Sequence, residues 1–88
     1  MVNKPYIDKQ YDRFIIRSFN VDLIDPLDLK WHFDEKSRII EPLNDNDWEF
    51  QYNDKLPIKL DKILFIESGS YHRLIIGSSN LKLKILEV

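Results

Sequence analysis

"IESGSYHRLII", residues 66–76, is the stretch on which the fold turns. A run of β-favouring residues enters it at Ile66, "SGS" at 68–70 has turn composition, and a second such run leaves through Leu74, Ile75 and Ile76. The reading is strand, turn, strand. Gly69 is one of two glycines in the chain and His72 one of two histidines, so a turn glycine sets a scarce, chemistry-bearing side chain at the mouth of a strand. The other histidine, His32, lies forty residues earlier in "LKWHFDEKSR". Whether His72 is a ligand or an ordinary polar residue depends on whether those two stretches meet.

Working outward, no segment sustains the apolar period of a helix over three turns. Short alternating or apolar runs predict strands at 13–19, 29–34, 37–42, 47–53, 57–60, 63–67, 71–76 and 81–87. Between them stand "DPLD" at 25–28, "LNDND" at 43–47, "NDKLP" at 53–57 and "GSSN" at 77–80, all rich in turn formers. Many short strands with polar turns predict an all-β fold, a small antiparallel barrel or sandwich. Residues 1–12 read as an N-terminal arm and 13–88 as a single domain, with one helical turn in "LIDPLDL".

Composition narrows the function. The chain has 88 residues, 43% hydrophobic and 12% aromatic, which is globular rather than disordered composition. Its formal net charge of -2 gives no basic face for nucleic acid. No apolar run reaches the length of a membrane span, and polar "VNKPYIDKQYD" follows Met1, so neither membrane nor secretion signal is expected. Without cysteine there are no disulfides and no thiolate metal sites. The expectation is a cytoplasmic protein.

Strand parity then sorts the side chains. In 29–34, Lys30, His32 and Asp34 fall on one face, and Leu29, Trp31 and Phe33 on the other. If the polar face looks inward, something must cover the apolar one. A second copy of the chain is expected to do so, giving a homodimer, with the arm as the alternative cover. In "DWEFQYN", Trp48, Phe50 and Tyr52 share a face and read as core, opposite Glu49, Gln51 and Asn53. Arg73 should point away from His72.

His32-x-Asp34, then Arg38, then Asp45 in a turn, followed by Asp61, Glu67-x-Gly69 and His72, resembles the two motifs of the cupins. That family carries His-x-His, a glutamate and a closing glycine in the first motif, and glycine, Pro-x-Gly and histidine in the second. The resemblance covers about residues 28–76, and the pattern as a whole also resembles small single-domain cupin-like proteins of tailed bacteriophages. Asp34 stands for the second histidine and keeps a ligand. Arg38 stands for the glutamate and removes one.

The resemblance implies a cupin-like fold and a metal site at His32, Asp34 and His72. Two imidazoles and one carboxylate form the donor set of facial-triad sites, suited to a divalent ion such as Fe(II), Mn or Zn. The alternative is a metal-free polar pocket in which these groups satisfy one another. Arg38, Gln51, Trp31 and Tyr71 are the candidate ligand-binding residues. Arg38 would recognise a carboxylate or phosphate, or else form a salt bridge with Glu35 or Glu41. Gln51 would offer an amide to the pocket, and Trp31 and Tyr71, each beside a histidine, would form its mouth or pack outward. Two functions stay open: a metal-binding protein acting on or holding a small molecule, and a non-catalytic viral accessory module binding a ligand or host protein.

Overall fold

Among the described residues, 4–88 of this computed structural model, eight strands form: β1 (Ile7–Gln10), β2 (Ile15–Phe19), β3 (Arg38–Pro42), β4 (Glu49–Tyr52), β5 (Ile58–Lys59), β6 (Leu64–Ile66), β7 (His72–Ile75) and β8 (Leu81–Glu87). They make two antiparallel sheets, ordered β1-β2-β8-β3-β6 and β5-β4-β7. The class is all-β. Seven of the eight expected strands lie where alternation and turn composition put them, shortened by one to three residues except at 81–87.

Alternation explains the layering. In β8, Leu81, Leu83 and Ile85 are buried while Lys82 is exposed and Lys84 half-buried. β2 and β3 flank this strand, with Ile15 opposite Ile85, Phe19 opposite Leu81 and Ile40 opposite Ile85. The smaller sheet contributes Trp48 and Phe50, each 1% exposed, to the same core, joined by Leu60 from just beyond β5. Tyr52, two residues on from Phe50, packs against that core from its edge and donates its hydroxyl hydrogen to the Phe65 carbonyl, tying the two sheets together. The core therefore sits between the sheets, fed by one face of each.

Two expectations are corrected. Residues 29–34 do not form a strand; two 3-10 turns, Val21–Leu23 and Pro26–Asp28, lead into an irregular segment that touches β7 at one bridge only. Asn20 and Asp25 cap the turns by accepting from the Asp22 and Leu27 amides, and Pro26 pre-sets the second. The parity assigned to 29–34 fails with the strand: Leu29 packs against the core instead of facing away with Trp31 and Phe33, which are exposed. Within 1–12, Ile7–Gln10 pairs with β2 as a strand. Residues 1–3 of that segment lie outside the described ones.

The turn at 77–80 is fixed by Gly77. A β-carbon there would lie 2.3 Å from Asp47 Oδ1 and 2.8 Å from the Asp47 carbonyl carbon. The approach lets Asp47 accept from both the amide and hydroxyl of Ser78, which holds its carboxyl below the usual aspartate value. Ser79 in the same turn accepts the indole N–H of Trp48 at 2.6 Å. Because backbone must move to admit a methyl group, Gly77→Ala should cost about 1–3 kcal/mol. Urea denaturation should show a lower midpoint with an unchanged slope; an unchanged midpoint would mean that the turn yields freely.

Candidate metal centre

Three chain segments build the site. β7 begins at His72, whose side chain is buried, and Tyr52 lies opposite it on β4. The turn before β7 carries the Ser70 amide back to the Glu67 carbonyl, with Gly69 at φ +77° in the third position, where only glycine sits without strain. The irregular segment then docks on β7 through a reciprocal pair: His32 N–H to His72 O at 3.0 Å and His72 N–H to His32 O at 2.9 Å. Two residues on, the Asp34 carbonyl accepts the Gly69 amide at 2.9 Å. One residue of ladder on either side of a glycine turn is enough to bring residues 32, 34 and 72 together.

Their side chains converge. The imidazole centroids are 4.4 Å apart. Asp34 Oδ2 lies 3.3 Å from His72 Nε2, and Oδ1 lies 3.9 Å from His32 Nε2. One ligand atom from each residue falls within 4.8 Å of the others. An ion bonded at about 2.0–2.2 Å to each would draw such donors to about 3–3.5 Å apart, a shift that side-chain rotation supplies.

The outer nitrogens settle the tautomers. His32 Nδ1 is 3.0 Å from the Lys30 carbonyl, and His72 Nδ1 is 2.8 Å from the Ser70 carbonyl. A carbonyl only accepts, so each Nδ1 carries a proton and, in the neutral ring, each Nε2 presents a lone pair. A backbone acceptor behind the ring is also how metal-binding histidines are oriented. Around the centre stand two lone pairs and a carboxylate, all acceptors. Asp34 Oδ2 is buried and receives no hydrogen bond. A proton on His72 is the internal remedy, but burial holds this imidazole below its ordinary value of 6.5, with His32 and Arg38 adding to the effect against the pull of the Ser70 carbonyl and Asp34. The donor set fits a cation.

Arg38, on β3, offers Nη1 to Asp34 Oδ1 at 3.4 Å and Nε to Glu87 at 3.9 Å, so its partners are Asp34 and Glu87 rather than Glu35 or Glu41. It engages one carboxylate oxygen and leaves Oδ2 to His72. Beside the triad opens a cavity of about 320 Å³, lined in part by Tyr6, Arg17, Leu29, His32, Asp34 and Arg38. A smaller one of about 50 Å³, reaching His72, Ile40 and Ile66, adjoins it and shares Arg17, His32, Asp34 and Arg38.

The other candidates lie elsewhere. Gln51 faces Arg73 across the β4–β7 pair and accepts from its Nε at 2.9 Å, on the opposite side of the sheet from His72. Arg73 also lies over the Trp31 ring, 4.6 Å from its centroid, and Tyr71 meets Phe33 edge to face at 5.2 Å. Trp31 and Tyr71 are exposed and line neither cavity. Arg17 is the residue that sequence reasoning missed. Its signal was parity, since Ile15 and Phe19 on either side of it both turn to the core.

No protein-family model matches the chain, and no curated protein matches it. Solved structures do. The crystal structure of protein NMB1881 from Neisseria meningitidis superposes with a TM-score of 0.60 at 11% identity, covering 94% of this chain and 81% of that one. The crystal structure of Fe(II) HppE superposes with a TM-score of 0.63 at 17% identity, covering 85% of this chain and 41% of that one. The fold is cupin-like. At these identities the likeness is one of architecture.

The depressed His72 value has a consequence for the metal-free protein. Below 6.5 the unfolded chain takes up a proton at this histidine while the native state does not, so native stability falls with pH until His72 itself protonates. Chelator-treated protein should lose urea stability as pH falls from neutral through 6.5, and His72→Gln should flatten that slope. An equal slope in the variant would assign the loss to other groups.

Proposed function

We propose that the chain binds one divalent first-row metal ion through His32, Asp34 and His72, and that it acts on or holds a small molecule in the adjoining cavity. The observation that carries this reading is the convergence of His32, Asp34 and His72, with His72 Nε2 3.3 Å from a buried Asp34 oxygen that nothing hydrogen-bonds. Such an arrangement is costly unless a cation occupies its centre. Bound there, the ion supplies Lewis acidity and, if redox-active, one-electron chemistry. The protein's residues do the rest. The Lys30 and Ser70 carbonyls fix the imidazoles, Arg38 holds Oδ1 and so directs Oδ2 inward, and Ile40, Ile66 and Leu74 give the inner cavity apolar walls.

Elemental analysis and calorimetric titration test this on protein purified without chelator or histidine tag. About one equivalent of Fe, Mn, Co, Ni or Zn should bind, more weakly as pH falls below about 6.5 because imidazole must be unprotonated to ligate. His72→Ala should lose the metal. Wild-type protein that takes up none at micromolar concentration overturns the reading.

A second reading rests on Arg38. Its guanidinium already gives Asp34 a positive neighbour, as suits a metal-free polar pocket in a non-catalytic accessory module of the phage-like kind that the sequence resembles. The same titration decides between the two.

We also propose a cytoplasmic homodimer. Trp31, Phe33 and Tyr71 form an exposed aromatic group with Arg73 stacked beside it, a composition suited to an interface. Sedimentation at tens of micromolar should give twice the chain mass, and Trp31→Ala should return a monomer. A wild-type monomer under those conditions sinks the proposal. Among the described residues no helix is long and apolar enough to cross a membrane.

A further inference from the structure

The cavity beside the triad has an unusual charge arrangement for its size. Two arginines line it from strands on either side of β8, Arg17 from β2 and Arg38 from β3. Arg17 is satisfied: Nε and Nη2 meet the two oxygens of Asp8 at 2.8 and 3.0 Å, and the guanidinium stacks 3.7 Å from the Tyr6 centroid. At the rim, exposed Asp28 and Lys30 offset each other. Arg38 is different. Its Nε is buried without a hydrogen-bond partner, its contact with Asp34 is long at 3.4 Å, and Glu87 stands 3.9 Å away on a side chain 44% exposed.

We infer that this cavity takes a small organic anion, its oxyanion on Arg38 and its apolar body against Phe19 and Leu74. The inference names the ligand class of the metal site proposed above and rests on that reading for its role. Two orphaned groups of opposite sign, Asp34 Oδ2 and Arg38 Nε, belong to neighbouring side chains that both line the cavity. A cation answers the first and an anion the second. A divalent ion on Asp34 Oδ2 also draws on the negative charge that Arg38 now shares through Oδ1, so that contact and a distant, half-solvated glutamate neutralise the guanidinium less. The pocket then carries excess positive charge in partly apolar surroundings, where a charge-assisted, two-pronged contact with an oxyanion is strongest. A volume of about 320 Å³ admits a ligand of a few carbons, not a polymer.

The test is calorimetric titration of hexanoate, hexylphosphonate and the neutral isostere hexanamide into chelator-treated protein and into protein supplied with Zn²⁺. At least one of the two anions should bind on the order of tenfold more tightly than hexanamide, more so with zinc, and the better anion names the headgroup. Arg38→Gln should remove that preference, whereas Arg73→Gln, which deletes the same charge outside the cavity, should leave it. Equal binding of anion and amide, no binding of either anion, or equal loss in both variants overturns the inference. Zinc uptake is read separately in the same experiments. Loss of the metal reading therefore shows as absent uptake with or without anion binding, and loss of the anion reading as uptake without any anion preference.

Discussion

Everything in this fold leans on the inward row of β8. Leu81, Leu83 and Ile85 are the apolar spine against which β2 and β3 align, and Trp48 and Phe50 of the second sheet close over it. Burying such side chains contributes roughly 1.5–3 kcal/mol each, so this one row sets the register of the larger sheet. Two residues past Ile85 the same row arrives at Glu87, opposite Arg38. The change from isoleucine to glutamate on one face of one strand marks where the apolar row ends, beside Arg38. Core and site are one surface, divided by composition.

The site needs little further scaffolding. An irregular segment would be a poor support for side chains that must hold position, but reciprocal hydrogen bonds between His32 and His72 lend it the rigidity of the sheet at a single residue. Gly69 lets the chain reverse tightly enough for its amide to reach the Asp34 carbonyl. Each backbone anchor thus sits at, or directly beside, a residue whose side chain enters the centre.

What could be read from the sequence divides along physical lines. "LKLKILE" and "DWEFQYN" alternate cleanly because one face of each meets the core, and both were legible as strands with the correct face inward. β1 was not, because "IDKQ" is exposed along its whole length and its pairing is written in backbone bonds and the Asp8–Arg17 contact instead of in hydrophobicity. The opposite error arose at 29–34. Leu-Lys-Trp-His-Phe-Asp alternates as a strand should, yet Trp31 and Phe33 cover no core and instead meet Arg73 and Tyr71 at the surface. Convergence of His32, Asp34 and His72 was legible from motif spacing even so, since one bridge suffices to align them. With Phe50 and Tyr52 turned to the core, Gln51 is left on the outer face beside Arg73, as the parity of that strand put it. Trp31 and Tyr71 pack outward, one of the two placements expected of them.

The first strand makes the molecule unevenly durable. β1 pairs with β2 alone, every residue in it is exposed, and Pro5 and Tyr6 just before it line the cavity mouth. Its detachment would break one ladder and one ion pair while leaving the buried row of β8 intact. Cooperative units of this kind open at a small fraction of the global free energy. The cavity wall beside β1 is therefore joined to the sheet along one strand edge, whereas β8 is joined along both.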